Sequence, residues 1–432
     1  MLNDLTRWLT ILLLTLLSCT ALGDEVLPEP LTLAAALATA QNPAHYELVE
    51  IEQRLQALRA ELGIERGNYG FSLDLRGQLS EVGPSDFAPD TESNDSAASL
   101  VLSKPLYDFG LQGAREKVLA LQLETLEYQQ RLLIEQRRLS ILQKYFAVLN
   151  ADNNFISENE ALAIDFNRWD RALQRQELGQ VAEIEVLRLQ SIFEVTRQKR
   201  QLAQQQQRLT RARLAEAMGY PRQPPSDLEI PQIDSERTLP SELGPVVDRA
   251  LSHSLEAQLA AAKIMATQAA IGIADANDNP SLDFEVEVSS YARDSRLRDD
   301  WRVSLLFEIP LISGSAAPRV ELATALHGQA LANQQQMHSQ LRLEVLQLWE
   351  EIQQLRLEID GRNIERSYRE SYLDRSRAEY ELEFKTDLGD SMALYSRSNT
   401  ERLQAIYAYE LAYQRLAALV GDDFLNQAAS SQ

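Results

Sequence analysis

Few side chains in this sequence are placed to do chemistry. Histidine stands at four scattered positions, His45, His253, His327 and His338. The last two share a helix face but lie about 16 Å apart at the α-helical rise, too far to bind one metal ion. Cys19 is the single cysteine and lies inside an N-terminal apolar segment, so neither a disulfide framework nor a cysteine metal site is expected. No glycine loop suited to phosphate and no nucleophile elbow occurs. Asp387 and Asp390 flank Leu388 and Gly389 at a predicted helix start, where Asp387 reads as a cap and Asp390 as an anion favoured by the positive helix terminus. Neither an enzyme nor a cofactor is expected. A net charge of −22, from 42 basic and 64 acidic residues, sets aside nucleic acid as a partner.

The elements that carry these residues must be long. Only 17 Gly and 15 Pro punctuate 432 residues, and Pro221, Pro224, Pro225, Pro231, Pro240 and Pro245 crowd into one stretch. Residues 1–23 carry Arg7 and then the apolar run Trp8 to Leu17, too short to span a bilayer comfortably, which predicts an export signal. Two cleavage sites fit. One lies before Asp24, after the small residues Ala21 and Gly23; the other lies before Cys19, where Leu16-Leu17-Ser18-Cys19 resembles a lipobox and Cys19 would carry lipid.

Internal repetition is the most informative feature. Pro105-Leu106-Tyr107-Asp108-Phe109-Gly110 returns about 205 residues later as Pro310-Leu311-Ile312-Ser313-Gly314-Ser315. Leu73-Asp74-Leu75 returns as Leu282-Asp283-Phe284, and Leu214-Ala215-Glu216-Ala217-Met218-Gly219 as Leu416-Ala417-Ala418-Leu419-Val420-Gly421. Two copies of one unit, 24–219 and 245–421, are predicted around a Pro-rich linker, 220–244, with a polar tail over 422–432. Each copy reads as a helix, two strands and two very long helices. The opening helices are predicted over Leu31 to Glu65 and Val246 to Ala276.

In the strands Phe71, Leu73, Leu75 and Leu79 alternate with polar residues, as do Leu282, Phe284, Val286 and Val288, and Trp301, Val303, Leu305, Phe307 and Ile309. Ala98 to Leu106 is a weaker version. A half-buried soluble sheet gives the same alternation, but an exported chain with four strands of about ten residues also suits a transmembrane barrel. Four strands cannot close a barrel, and open edges are not tolerated in lipid, so several chains must contribute.

From Leu111 to Glu177 there is no proline, and 67 helical positions span about 100 Å. Steps of three and four from Leu111 through Val118, Leu121, Leu132, Leu142, Phe146, Leu149 and Ile156 trace a coiled-coil seam. The partner helix is predicted over Ala182 to Met218, after a turn at Leu178-Gly179-Gln180-Val181. The second copy repeats this over Ala317 to Glu383 and Leu388 to Leu419, turning at Phe384-Lys385-Thr386-Asp387.

Over essentially the whole mature chain, from Leu31-Thr32-Leu33 and Asn42-Pro43 to Gly421, the sequence resembles the outer-membrane efflux protein (TolC) family. Its most specific parts are the two Pro-Leu strand ends, the terminal glycines of each half, and the turn Gly179-Gln180-Val181-Ala182-Glu183-Ile184-Glu185-Val186, with Glu185 where the family usually has aspartate. The resemblance implies a mainly α, two-repeat fold in a homotrimer: a 12-stranded barrel in outer-membrane lipid, continued by an α-helical tunnel across the periplasm. It implies that the tips, at Gly179, Gln180, Val181, Ala182 and Glu185 and at Thr386 and Gly389, dock a periplasmic adaptor (membrane fusion) protein that connects to an inner-membrane transporter. It places Asp387 and Asp390 on the paired aspartates of the closed periplasmic entrance, with Lys385 as an interchain basic partner; Glu383-Phe384-Lys385 departs from the glycine of the first tip. The rival reading is a periplasmic coiled-coil adaptor or scaffold that uses the same hairpins without a pore.

Overall fold

The computed structural model describes residues 27–83, 90, 92–293, 298–382 and 388–425. Cys19, Lys385, Thr386 and Asp387 lie outside these residues. The elements follow in the order α1 (Leu33–Ala38), α2 (Tyr46–Asn68), β1 (Ser72–Gln78), β2 (Ala97–Tyr107), α3 (Leu111–Glu177), α4 (Glu183–Met218), α5 (Leu243–His253), α6 (Leu255–Ala276), β3 (Ser281–Tyr291), β4 (Trp301–Glu308), α7 (Ala316–Glu381) and α8 (Leu388–Val420). Two helices, two strands and two long helices thus occur twice in chain order. The chain packs as two compact units, Met1–Thr39 with Lys144–Gln232, and Ala40–Gln143 with Ile233–Gln432.

Two predicted helices are each broken in two. Between α1 and α2, Pro43 lacks the N–H that a continuing helix needs and biases Asn42 away from helical geometry. His45 then caps α2 by accepting a hydrogen bond from the Glu47 N–H at 3.4 Å. Between α5 and α6, Ser254 adopts extended backbone (φ −60°, ψ 149°) and its hydroxyl accepts from the Ala257 N–H at 3.2 Å, so one residue ends the first helix and caps the second. The long helix α3 runs over the predicted 67 residues.

In the first unit, Leu31 pairs in parallel with the Pro-rich segment: its N–H donates to Asp227 O and its carbonyl accepts from Glu229 N–H, both at 2.9 Å. The buried Tyr145 hydroxyl lies 2.8 Å from Leu31 O and 2.6 Å from Glu229 O. The bond from α4 to α3 is partly ionic, Arg211 gripping both carboxylate oxygens of Asp152 at 2.6 and 2.9 Å. Gly219 ends α4 in left-handed backbone (φ +88°), which glycine reaches without the Cβ penalty.

In the second unit the core lies among α5, α7 and α8. Val246, Ala250, Leu341, Val345, Leu348, Ile352, Tyr409, Tyr413, Leu416 and Val420 are buried there. On α8 the buried Tyr409, Ala412, Tyr413, Leu416 and Val420 follow helical spacing of three and four. Arg137, 6 % exposed, donates to Ala40 O at 3.1 Å and to Glu47 at 2.7 Å. Helix α6 is long and apolar enough to cross a membrane. It nevertheless carries Glu256 and Lys263, joins α7 through Thr267 and His327 at 3.2 Å, and runs into β3.

The predicted seam on α3 is realised in part. Val118, Leu142, Phe146 and Leu149 are buried, but so are Ile141, Tyr145 and Val148, which lie one position off it, and Ile156 is 52 % exposed. The buried face is therefore wider than a two-position seam and does not reach Ile156.

Candidate functional site

The four strands form one antiparallel sheet in the order β1-β2-β3-β4, with β1 and β4 as open edges. Register decides what each face presents, because residues directly opposite share a face. Leu73 faces Leu102 and Leu75 faces Leu100; Leu100 and Leu102 face Val288 and Val286; these face Trp301 and Val303. Phe284 continues the row to Leu305, and Leu282 to Phe307. One face is thus apolar across all four strands, and much of it is uncovered: Leu75 is 78 % exposed and Leu305 67 %. The run Ala98 to Leu106, predicted as the weaker strand, proves one of the two longest at 11 residues. Its signal is blurred by Val101 on the polar face, Lys104 on the apolar face, and a bulge between Pro105 and Tyr107.

Aromatic side chains concentrate towards the helix-connected end of this face, with one at the other end. At the helix-connected end, Tyr107 meets Phe109 edge-on at 4.7 Å and Phe109 meets Phe307 at 6.5 Å, with Phe71 nearby in sequence to β1. Trp301 stands at the opposite end. The opposite face carries Asp74, Asp283, Glu285, Glu287 and Glu308 against Arg76 and Arg302, a net acidic surface. At the outer end, Arg298 donates to Asp95 at 2.9 Å and lies over the Tyr291 ring at 4.8 Å, while Arg293 donates to Asp90 O at 3.1 and 2.8 Å. The Arg298 hydrogen bond holds the Asp95 carboxyl below its ordinary range.

Each repeated Pro-Leu segment ends a strand and opens a long helix, and each junction is clamped. Asp108 accepts from Gly110 N–H at 3.1 Å, from Gln112 N–H, and from the Tyr69 hydroxyl. Burial first, then the Asp108 hydrogen bond, raise the Tyr69 hydroxyl above its usual pKa. Phe109 and Gly110 both have positive φ, +53° and +101°, and make the corner. In the second copy Arg319 reaches back from α7 to Asp278 at 2.6 and 2.7 Å, lowering its pKa through that hydrogen bond, and to Ser313 at 3.2 Å. Asn279 donates to Phe109 O at 2.9 Å, joining the two junctions. Asp108, three residues before Leu111, is a residue type that caps helices, but its hydrogen bonds to Gln112 and Tyr69 are seen only in the structure.

At the first hairpin tip Gly179 takes φ +71°, its N–H bonding Gln176 O and the Gln180 N–H bonding Arg175 O, each at 2.8 Å. Ala182 is the N-cap residue of α4 and accepts from Glu185 N–H at 3.0 Å. The Glu185 carboxylate pairs with Arg188, whose hydrogen bond lowers its pKa. Gln180 is exposed, Val181 partly covered and Val186 buried, while Leu178 and Ile184 are 71 % and 73 % exposed. At the second tip Gly389 and Asp390 lie in the first turn of α8, Asp390 exposed, with Ser391 buried against Ser376 at 2.7 Å. Asp387, Lys385 and Thr386 stand outside the described residues, as does Cys19. Among the described residues no group of His, Cys, Asp or Glu is arranged to hold a metal ion.

Uncovered apolar residues continue along the helices. On α4, Val195, Leu202 and Leu209 recur every seven residues and are exposed; on α7, Leu343, Leu357 and Ile364 do the same in steps of seven or fourteen. Spacing of seven is that of a coiled-coil seam.

No protein-family model and no curated protein matches the sequence. Solved structures do match the fold. A membrane protein from Pseudomonas aeruginosa superposes with a TM-score of 0.73 at 16 % identity, covering 92 % of this chain and 91 % of that one. The outer membrane channel CmeC of Campylobacter jejuni gives 0.72 at 15 % identity, covering 92 % and 88 %. The outer membrane protein VceC of Vibrio cholerae gives 0.69 at 18 % identity, covering 90 % and 96 %. The chain has the fold of these proteins over nearly its full length.

Proposed function

We propose that this chain is one subunit of a passive exit duct in the bacterial outer membrane. The observation that carries the reading is the open four-stranded sheet, apolar on one face but for Lys104, that joins α2, α3, α6 and α7 at one end. Lipid tolerates no unpaired edge, so β1 of one copy must pair with β4 of the next, and three copies supply the twelve strands of a closed barrel. The acidic face then lines the lumen. The heptad-spaced residues on α4 and α7 support the same assembly, since neighbouring copies bring the helices that would cover them. The fold shared with outer membrane channels points the same way.

In this reading the helices wall a periplasmic tunnel and the tips meet an adaptor connected to an inner-membrane transporter, which supplies the driving force. The exposed Leu178 and Ile184 beside Gly179 offer an adaptor hairpin an apolar contact. Asp387 and Asp390 would ring the entrance, six carboxylates in the trimer, where like charge resists full ionisation unless cations or protons compensate. Purified protein should run as a heat-modifiable trimer in detergent and produce unitary conductance steps in a planar bilayer. A water-soluble monomer without conductance would overturn the proposal and leave the adaptor or scaffold reading.

A further inference from the structure

The apolar face of the sheet bears one charged side chain, Lys104. It stands opposite Phe284 in β3, in the row that otherwise holds Leu100 and Leu102. Its ammonium group lies 4.7 Å from the centre of the Phe71 ring, and among the described residues it has no ion-pair partner. The carboxylates of β3, Asp283 and Glu285, project from the other face.

The position of Lys104 along the strand explains how such a charge is tolerated. It lies three residues before Tyr107, where β2 ends and the chain turns to α3, or about 10 Å at strand rise. Leu106, Tyr107 and Phe109, all exposed, crowd the same end. A lysine stem of four methylenes covers most of that distance and delivers the ammonium group to the lipid–water boundary on the helix side. There, with no carboxylate to pair it, the ammonium group meets the phosphodiesters of lipid headgroups.

We propose that Lys104 anchors the anionic headgroup of a phospholipid in the periplasm-facing leaflet, with Phe71 and Phe284 against the upper acyl chain. The inference rests on the outer-membrane reading above. It assigns the sheet face a lipid of stated charge and leaflet, where hydrophobicity alone would accept any.

The test uses the full chain reconstituted in vesicles of phosphatidylethanolamine containing phosphatidylglycerol, with spin-labelled forms of each lipid reporting the immobilised fraction. Wild-type protein should favour phosphatidylglycerol by about five-fold per chain, the worth of one basic residue near an anionic surface. Lys104→Gln should bring the ratio to that of the bulk lipid, and Lys104→Arg should keep it. Equal ratios in wild type and Lys104→Gln would overturn the assignment, as would loss of the preference on adding inorganic phosphate, which would mark a free-anion site. Conductance measured on the same vesicles separates the two readings. Channels without lipid preference sink this inference alone, and failure to insert sinks the duct as well.

Discussion

Placing an arginine at Val286 tests the orientation of the sheet. Val286 faces Leu102 on one side and Val303 on the other, one step from the middle of the β4 row that runs from Trp301 to Phe307. In a membrane barrel Val286→Arg sets a cation near the bilayer midplane, which costs about 2–4 kcal/mol per chain. At about 1.4 kcal/mol for each factor of ten, insertion falls by about 30-fold to about 700-fold. Glu285→Arg, one residue away on the acidic face, meets lumen water and should leave insertion unchanged. Both variants place an arginine at nearly the same depth but on opposite faces, so the contrast reports what the apolar side touches. Folding into lipid vesicles, followed by the heat-sensitive gel shift, reads both variants against wild type. If the sheet stood in water, arginine in place of this half-buried valine would extend its charged head into solvent and cost about 1 kcal/mol or less, below that range. Wild-type insertion by Val286→Arg would therefore refute the membrane placement.

Further expectations concern the helices. Gly179→Ala forces a Cβ into left-handed backbone at φ +71° and should cost about 1 kcal/mol, whereas Gly179→Asn should cost less; thermal melting that ranks them the other way would contradict the tip geometry. Burial pushes the Tyr409 hydroxyl, which donates to Arg237 O at 2.9 Å, up to about 12. Its folded pKa exceeds the unfolded one, so this contribution is whole below about pH 10 and drains away as pH climbs towards 12. Urea midpoints should fall over that window, less steeply in Tyr409→Phe, and parallel slopes would argue against it. Asp387→Asn combined with Asp390→Asn should weaken cation block of the conductance; unchanged block would remove both from the entrance.

Much of this architecture is legible in the residues, and the parts that are not share a physical cause. Helix α3 could be bounded closely because no proline interrupts it and the turn at Gly179 marks its stop, whereas the capping of its start by Asp108 is seen only in the structure. The sheet was legible where alternation was clean, as in β3, and faint in β2, where Lys104 and Val101 each sit on the face of opposite character. The breaks at Pro43 and Ser254 fall within helical periodicity, and apolar spacing continues across them; Pro43 is a breaker visible in the sequence, whereas the break at Ser254 is revealed only by its capping bond. Buried Arg137 looks like any charged helix residue until Ala40 O and Glu47 are seen around it. The width of the buried stripe on α3, which takes in Tyr145 as well as Phe146, depends on what packs from either side, and a single helix does not encode its neighbours.

The two open borders of the sheet carry a genetic consequence. In the proposed trimeric barrel, a variant that joins through β1 but has a spoiled β4 leaves a gap that no other subunit can mend. Expressed in equal amounts with the normal allele, it would leave about one assembly in eight free of faulty members. Lesions confined to β4 should therefore be dominant, and a loss-of-expression allele recessive.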